Sequence, residues 1–112
     1  LVSALTVVAA PAYAQTGEVT NSKYLEIIEH RYHVGESSDT MTGTVKNIST
    51  EEVSSITIYP LLYDKANQLI TIKTGYADIT PLQSQDTSPF SINVYYQDND
   101  MYHYVMLPGG IS

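Results

Sequence analysis

The chain has 112 residues, a formal net charge of −7 and no cysteine. At that length one domain with a modest core is the expectation. The missing cysteines exclude disulfides, thiolate metal sites and thiol nucleophiles, and the acidic balance disfavours a nucleic-acid partner, whose phosphates call for basic surface.

The first ten residues, Leu1 to Ala10, are apolar or small. Pro11 breaks the run, and Ala12-Tyr13-Ala14 has the small-x-small pattern of a signal-peptidase site, with Gln15 as the first mature residue. Residues 1–14 therefore read as the remnant of a signal peptide whose basic start and initiator Met are missing. The competing reading is a short buried helix or strand. The run is too short for a stable membrane span, and no cysteine follows to carry a lipid. The expected location is extracytoplasmic, secreted or at the cell surface. Polar residues 15–23 read as a flexible lead-in.

Tyr24 to Val34 is rich in Tyr, Ile and Val and reads as a strand, although neither alternating face is clean. A helix starting at Ser22 is the competitor. After the Gly35–Asp39 turn, Thr40 to Ile48 reads as a strand with Met41, Gly43 and Val45 on one side. Gly43 marks a bulge or a close approach. Val53 to Asp64 is the most apolar strand region. Ile56 and Ile58 share one parity, while Tyr59, Leu61 and Tyr63 share the other. A bulge at Pro60, near an exposed edge, would carry one apolar face across the break. Asp64-Lys65-Ala66-Asn67 reads as a hairpin turn. Gln68 to Tyr76 is the return strand, with Ile70, Ile72 and Tyr76 on one parity. An irregular crossing follows, with Ile79 and Leu82 as core plugs. From Phe90 the alternation is clean, which places Phe90, Ile92, Val94 and Tyr96 in the core. Met101 to Leu107 is the last strand, paired with its predecessor as a hairpin and stopped by Pro108-Gly109-Gly110.

About seven short strands with turn signals between them indicate an all-β, immunoglobulin-like (fibronectin-like) antiparallel sandwich. The domain spans residues 24–108, with a tail at 109–112.

Three separated stretches carry a family resemblance: Gly43-Thr44-Val45-Lys46-Asn47, Leu62-Tyr63-Asp64 and Ser88-Pro89-Phe90, with Leu82 ahead of the last. In that order they resemble the FxLYD domain family, small sandwiches found mostly in exported bacterial and archaeal proteins. Pro60 stands where the signature has Phe, Asn67 where a turn glycine is usual, and Ser84-Gln85 where the family commonly has Pro-Gly. The resemblance implies the sandwich fold and an exported setting, and it brings no catalytic residues. At its signature positions, Tyr63 is expected at the core edge with its hydroxyl paired, and Asp64 is expected to accept backbone N–H bonds of the next turn.

Other residue patterns bear on chemistry. His30 and His33 point to opposite faces of a strand, so with His103 they offer no zinc site. Asp98-Asn99-Asp100 reads as an ordinary turn rather than a calcium loop. No metal or cofactor is expected. Asn47-Ile48-Ser49 fits the N-glycosylation acceptor pattern, which makes Asn47 a candidate for modification. Tyr95, Tyr96, Tyr102 and Tyr104 would flank one hairpin and form an aromatic patch, a candidate binding surface if exposed and core and sheet packing if covered.

These readings converge on a non-enzymatic exported module that serves as a binding, adhesion or spacer domain, with a protein or cell-envelope component as partner. The alternative is an accessory domain of a larger secreted enzyme such as a hydrolase. The oligomeric state is open.

Overall fold

The computed structural model describes residues 16–95 and 101–111, and every structural statement below concerns those residues. Eight strands run in chain order: β1 Thr16–Val19, β2 Leu25–His33, β3 Ser38–Asn47, β4 Ser54–Tyr63, β5 Leu69–Ile72, β6 Gly75–Tyr76, β7 Thr87–Tyr95 and β8 His103–Ile111. They form two packed sheets. One has the order β1-β8-β4-β5, with β6 also on β4, and the other has the order β2-β3-β7. Every pairing is antiparallel except β1 on β8, which is parallel. The result is a mixed all-β sandwich of five and three strands.

The core lies between the sheets and follows period-2 alternation. Met41 and Val45 of β3 and Phe90, Ile92 and Val94 of β7 face Ile56, Ile58 and Leu62 of β4 and Tyr104 and Met106 of β8, all buried. Gly43 is the close-approach position. A Cβ there would lie 2.5 Å from both the Phe90 ring and the Glu29 carbonyl oxygen, so hydrogen is the only side chain that lets Phe90 lie flat on β3.

Several strands depart from their sequence reading for identifiable reasons. The lead-in contains β1, whose Gly17 lies opposite Tyr104. Ser22 does not start a helix. Its hydroxyl accepts hydrogen bonds from the backbone of Tyr24 and Leu25 in a turn that feeds β2. β2 has no clean face because its register to β3 shifts between Ile27 and Glu29. A bulge of this kind swaps the faces: Leu25 and Ile27 point inward before it, and His30 and Tyr32 after it.

Pro60 carries no bulge. It sits in regular register with Met106 and is buried, and the register shifts of β4 fall near Ser54–Thr57 and at Leu62–Tyr63. Nor does it mark an open edge, because β4 has β8 on one side and β5 and β6 on the other. The Pro60 carbonyl accepts the Lys73 N–H at 2.8 Å. In a strand, a residue's N and C=O point the same way, so the missing donor of Pro60 falls at the step between β5 and β6, where little ladder is lost.

The return strand breaks at that step into β5 and β6. Ile72 and Tyr76 are exposed there, as is Ile79 in the crossing, whereas Leu82 is buried and bridges Val53. β8 does not pair with β7 as a hairpin. It crosses to the other sheet, between β1 and β4, and continues through Pro108-Gly109-Gly110 to Ile111. Tyr96, expected in the core, lies outside the described residues.

Candidate functional site

The two outer faces of the sandwich differ in chemistry. On the three-stranded sheet, cross-strand register aligns Arg31 with Thr42 and Ser91, His33 with Thr40 and Asn93, and Glu26 with Lys46 and Thr87. This face is polar or charged almost throughout, and His33 Nε2 lies 2.9 Å from the Thr42 hydroxyl. It is the ordinary solvated side of a half-buried sheet.

The outer face of the five-stranded sheet is apolar over β4, β8 and β5, with β1 adding the exposed Glu18 beside Val105 at its border. β4 turns Thr57, Tyr59, Leu61 and Tyr63 outward, and β8 sets Gly109, Leu107, Val105 and His103 opposite them in turn. β5 extends the Leu61 row with Ile72 and places Leu69 beside Tyr63, and β6 adds Tyr76 beside Thr57. Leu69, Ile72 and Tyr76 are 49%, 52% and 66% exposed. No Asp, Glu, Lys or Arg occupies an outward position of the central pair β4 and β8. The second apolar parity of β4, which at the sequence level prompted a bulge at Pro60, is this face. Contiguous exposed apolar surface of this kind marks an interaction site more often than it serves the monomer.

At one end of the face the Tyr63 and His103 rings stack, with centroids 4.9 Å apart and planes at 9°. Tyr63 therefore points outward instead of filling the core edge. Its neighbours separate by alternation. Leu62 is fully buried, and Asp64 caps the hairpin by accepting the N–H groups of Ala66 and Gln68, each at 2.9 Å. Asn67 takes the left-handed position at φ 64°. Two open clefts border the face. One, of about 470 Å³, lies between the β5–β6 step and β7 and is lined by Lys73, Gly75, Tyr76, Asp78 and Asn93. The other, of about 240 Å³, lies by β1 against Gly17, Glu18, Tyr102 and His103.

The hairpin expected to carry the tyrosine patch does not form. Tyr104 is 1% exposed and faces the core, Tyr102 is exposed at the end of the other sheet's crossing strand, Tyr95 ends β7 opposite Ser38, and Tyr96 lies outside the described residues. The expectation failed because β7 and β8 belong to different sheets. Tyr104 instead centres a buried polar cluster. Its hydroxyl is 2.9 Å from His30 Nδ1, its ring stacks on Tyr32, and the Tyr32 hydroxyl donates to Asp39. Burial pushes the Tyr104 phenol above its ordinary value.

Asn47 is unsuited to glycosylation. It is 0% exposed, and its Nδ2, the atom a glycan would occupy, donates to the carbonyls of Glu51 and Leu82 at 2.7 and 2.9 Å. Its Oδ1 accepts from the Ser49 N–H and hydroxyl. Asn47 thus pins the β3–β4 loop to the crossing segment. Ser88 is also fully buried and accepts the Ile79 N–H at 2.8 Å, while Pro89 next to it is exposed on edge strand β7. His30 faces inward, His33 outward, and His103 lies on the other sheet. Among the described residues no three His, Asp or Glu side chains converge to hold a metal, and no helix is long and apolar enough to cross a membrane. Asp98-Asn99-Asp100 lies outside the described residues. No protein-family model, curated protein or solved structure matches the chain.

Proposed function

We propose that the chain is a non-enzymatic binding or adhesion module of an exported protein, and that it engages its partner through the outer face of the five-stranded sheet. The observation that carries this reading is the contrast between the faces: threonines and charges cover β2, β3 and β7, while Tyr59, Leu61, Val105, Leu107 and Ile72 form an uncharged surface on β4, β8 and β5. Leaving such a surface in water forgoes roughly 25 cal/mol per Å² of apolar area, which a partner recovers on docking. The small-x-small pattern before Gln15 supports export. The order of the Gly43–Asn47, Leu62–Asp64 and Ser88–Phe90 stretches supports an FxLYD-like, immunoglobulin-like sandwich as the scaffold.

The test measures binding of the purified chain to envelope fractions of its own source cells. Leu61→Glu is expected to abolish retention, and Thr42→Glu, on the polar face, to leave it intact. Equal retention of both variants would overturn the assignment of the face. N-terminal sequencing of the exported product tests the location, with Gln15 as the expected first residue.

A further inference from the structure

We infer that the free edge of β7 is a second docking site, where an extended segment of another polypeptide pairs with the backbone at Asn93 and lengthens the three-stranded sheet by one strand. The site is separate from the outer face of the five-stranded sheet and does not depend on it.

β7 lies at the end of the β2-β3-β7 sheet, and its register to β3 is unbroken through all nine of its residues. The Pro89 carbonyl accepts the Asp78 N–H at 2.9 Å, so Pro89 turns its backbone away from β3. Alternation then turns the backbone groups of Ser91, Asn93 and Tyr95 the same way, and those of Phe90, Ile92 and Val94 toward β3. A row of such unpaired groups is a template for another strand.

One half of this edge is covered. Ala77 bridges Phe90, Asp78 bonds Pro89, and Pro89 itself brings no N–H. Followed backward from Asp78, the covering segment still rests Gly75 on Ile92, where a Cβ would fall 2.2 Å from Cγ1. By Lys73 it has joined the other sheet, donating to the Pro60 carbonyl at 2.8 Å. The divergence opens the cleft of about 470 Å³, with Lys73, Thr74 and Gly75 on one wall and Ser91, Ile92 and Asn93 on the other. Among the described residues no strand or turn is paired with the cleft side of Asn93. The molecule thus makes the ladder at one end of β7 with its own Ala77 and Asp78, and leaves the same ladder open at the other.

The other edges are poorer templates. β2 is bulged between Ile27 and Glu29, and Asn21 Oδ1 caps its Ile27 N–H. β1 and β5 are four residues each. Bulges and short lengths are the usual defences of an edge.

The pattern of the edge sets the chemistry of the occupant. A residue opposite Val94 points inward beside buried Ile92 and Val94, while its neighbours share the outward side with exposed Ser91 and Asn93. The segment that fits is therefore extended, with an apolar residue between two polar ones. Main-chain bonds supply the affinity and the inward side chain the selectivity, as in other cases of strand addition. So short a ladder makes a weak contact, with a dissociation constant of about 10 μM to about 1 mM.

A phage library of random octapeptides, panned on the purified chain, supplies the probes, since multivalent display retains weak binders. The expected peptides carry the polar–apolar–polar alternation. In the free chain the Asn93 amide should exchange with solvent at least about tenfold faster than those of Ile92 and Val94, and saturating peptide should slow it by about tenfold or more. Asn93→Pro removes the edge donor and no bond to β3, as Pro89 does at the same parity. It should keep the fold and weaken peptide binding at least about tenfold. Should it unfold, as thermal melts report, N-methylation of the peptide decides instead: methylation at alternate amides should abolish binding at one parity only. Leu61→Glu should bind the peptides like the wild type, so this site and the outer face stand or fall separately. Failure to select any peptide, an Asn93 amide already protected in the free chain, binding that survives Asn93→Pro or is lost with folded Leu61→Glu, or equal loss from methylation at either parity overturns the inference. A cleft that responds to cellohexaose and to no peptide also overturns it, and assigns the site to a saccharide.

Discussion

His30 Nδ1 lies 2.9 Å from the Tyr104 hydroxyl, and this hydrogen bond joins the inner faces of the two sheets. It depends on the register shift in β2. If Ile28 were paired in regular register instead of bulged, strict alternation would turn Glu29 inward and His30 toward solvent. Gly17 completes the arrangement, since a Cβ on it would fall 2.0 Å from the Tyr104 ring. The parallel strand β1 can lie beside β8 only because that position is a glycine.

Tyr104→Phe keeps the ring packing and removes the hydroxyl, which leaves the half-buried His30 nitrogen without that partner. A net loss of about 1 kcal/mol is expected, read as a fall in melting temperature of several degrees in calorimetry. Tyr104→Ala also opens a cavity and should cost roughly 3–5 kcal/mol. A Tyr104→Phe protein as stable as the wild type would remove the hydrogen bond from the account of inter-sheet coupling.

The same residue sets an alkaline limit. Burial raises the Tyr104 phenol above its ordinary value, so the folded chain retains a proton that the unfolded chain sheds near pH ~10. Its contribution is fully present below that pH, and stability falls as pH rises through the folded value. Urea midpoints followed from about pH 8 to about pH 11.5 should show the fall in wild type and a shallower one in Tyr104→Phe. Parallel curves would rule out Tyr104 as the group responsible.

The Asn47 side chain satisfies four polar groups from a fully buried position, the two carbonyls it donates to and the Ser49 N–H and hydroxyl it accepts, while its backbone N–H and carbonyl bond the Asp86 carbonyl and the Gln85 N–H. Asn47→Ala leaves the two carbonyls and the Ser49 groups unmatched at a cost of roughly 2–4 kcal/mol. Asn47→Asp should cost at least as much, since it loses both donors and turns an oxygen toward the Glu51 and Leu82 carbonyls. Chemical denaturation checks both variants, and mass spectrometry of the protein purified from its source cells should find no glycan on Asn47.

Gln85 holds φ 72°, a left-handed conformation, while donating its N–H to the Asn47 carbonyl at 2.8 Å. A side chain with a Cβ loses roughly 1–2 kcal/mol there, and glycine returns roughly 0.5–1 kcal/mol of that as lost chain entropy. Gln85→Gly is therefore expected to stabilise the protein by roughly 0.5–1 kcal/mol. Asn67→Gly should change little, because asparagine tolerates its φ of 64°. A destabilised Gln85→Gly variant would show that the Gln85 side chain contributes contacts beyond its backbone.

Much of the sandwich was legible in the chain, where local pattern and tertiary setting agree. β3 and β7 alternate cleanly, and their inward residues Met41, Val45, Phe90, Ile92 and Val94 are the core. The Asp64–Asn67 turn shows in its residue types. The misreadings of β2 and β4 share one cause: period-2 reasoning assigns one apolar face per strand. β4 has two, one for the core and one on the outer surface, so its second parity read as a register fault at Pro60. β2 has two half-faces joined at its bulge, so it read as unclean. The partner of β8 was beyond local pattern. A hairpin and a crossing to the other sheet place the same alternation in Met101–Leu107, and only the packing of Tyr104 beneath Gly17 and beside His30 separates them. The candidate face was visible as the Tyr59, Leu61, Tyr63 parity, but its significance required knowing which sheet covered the other side.

Gly43 offers the most direct test of the core geometry. Gly43→Ala places a methyl group 2.5 Å from both the Phe90 ring and the Glu29 carbonyl oxygen, and overpacking of this kind costs roughly 1–3 kcal/mol. The two obstacles can be separated. Phe90→Leu removes the aromatic ring and destabilises by itself, but it clears space for the new methyl. The double variant should then be more stable than the sum of the two single losses, by roughly 0.5–2 kcal/mol in a double-mutant cycle. The Glu29 carbonyl belongs to the β2 backbone and cannot withdraw, so rescue should be incomplete. Full additivity would locate the whole clash at the β2 backbone, and complete rescue would assign it to the Phe90 ring alone.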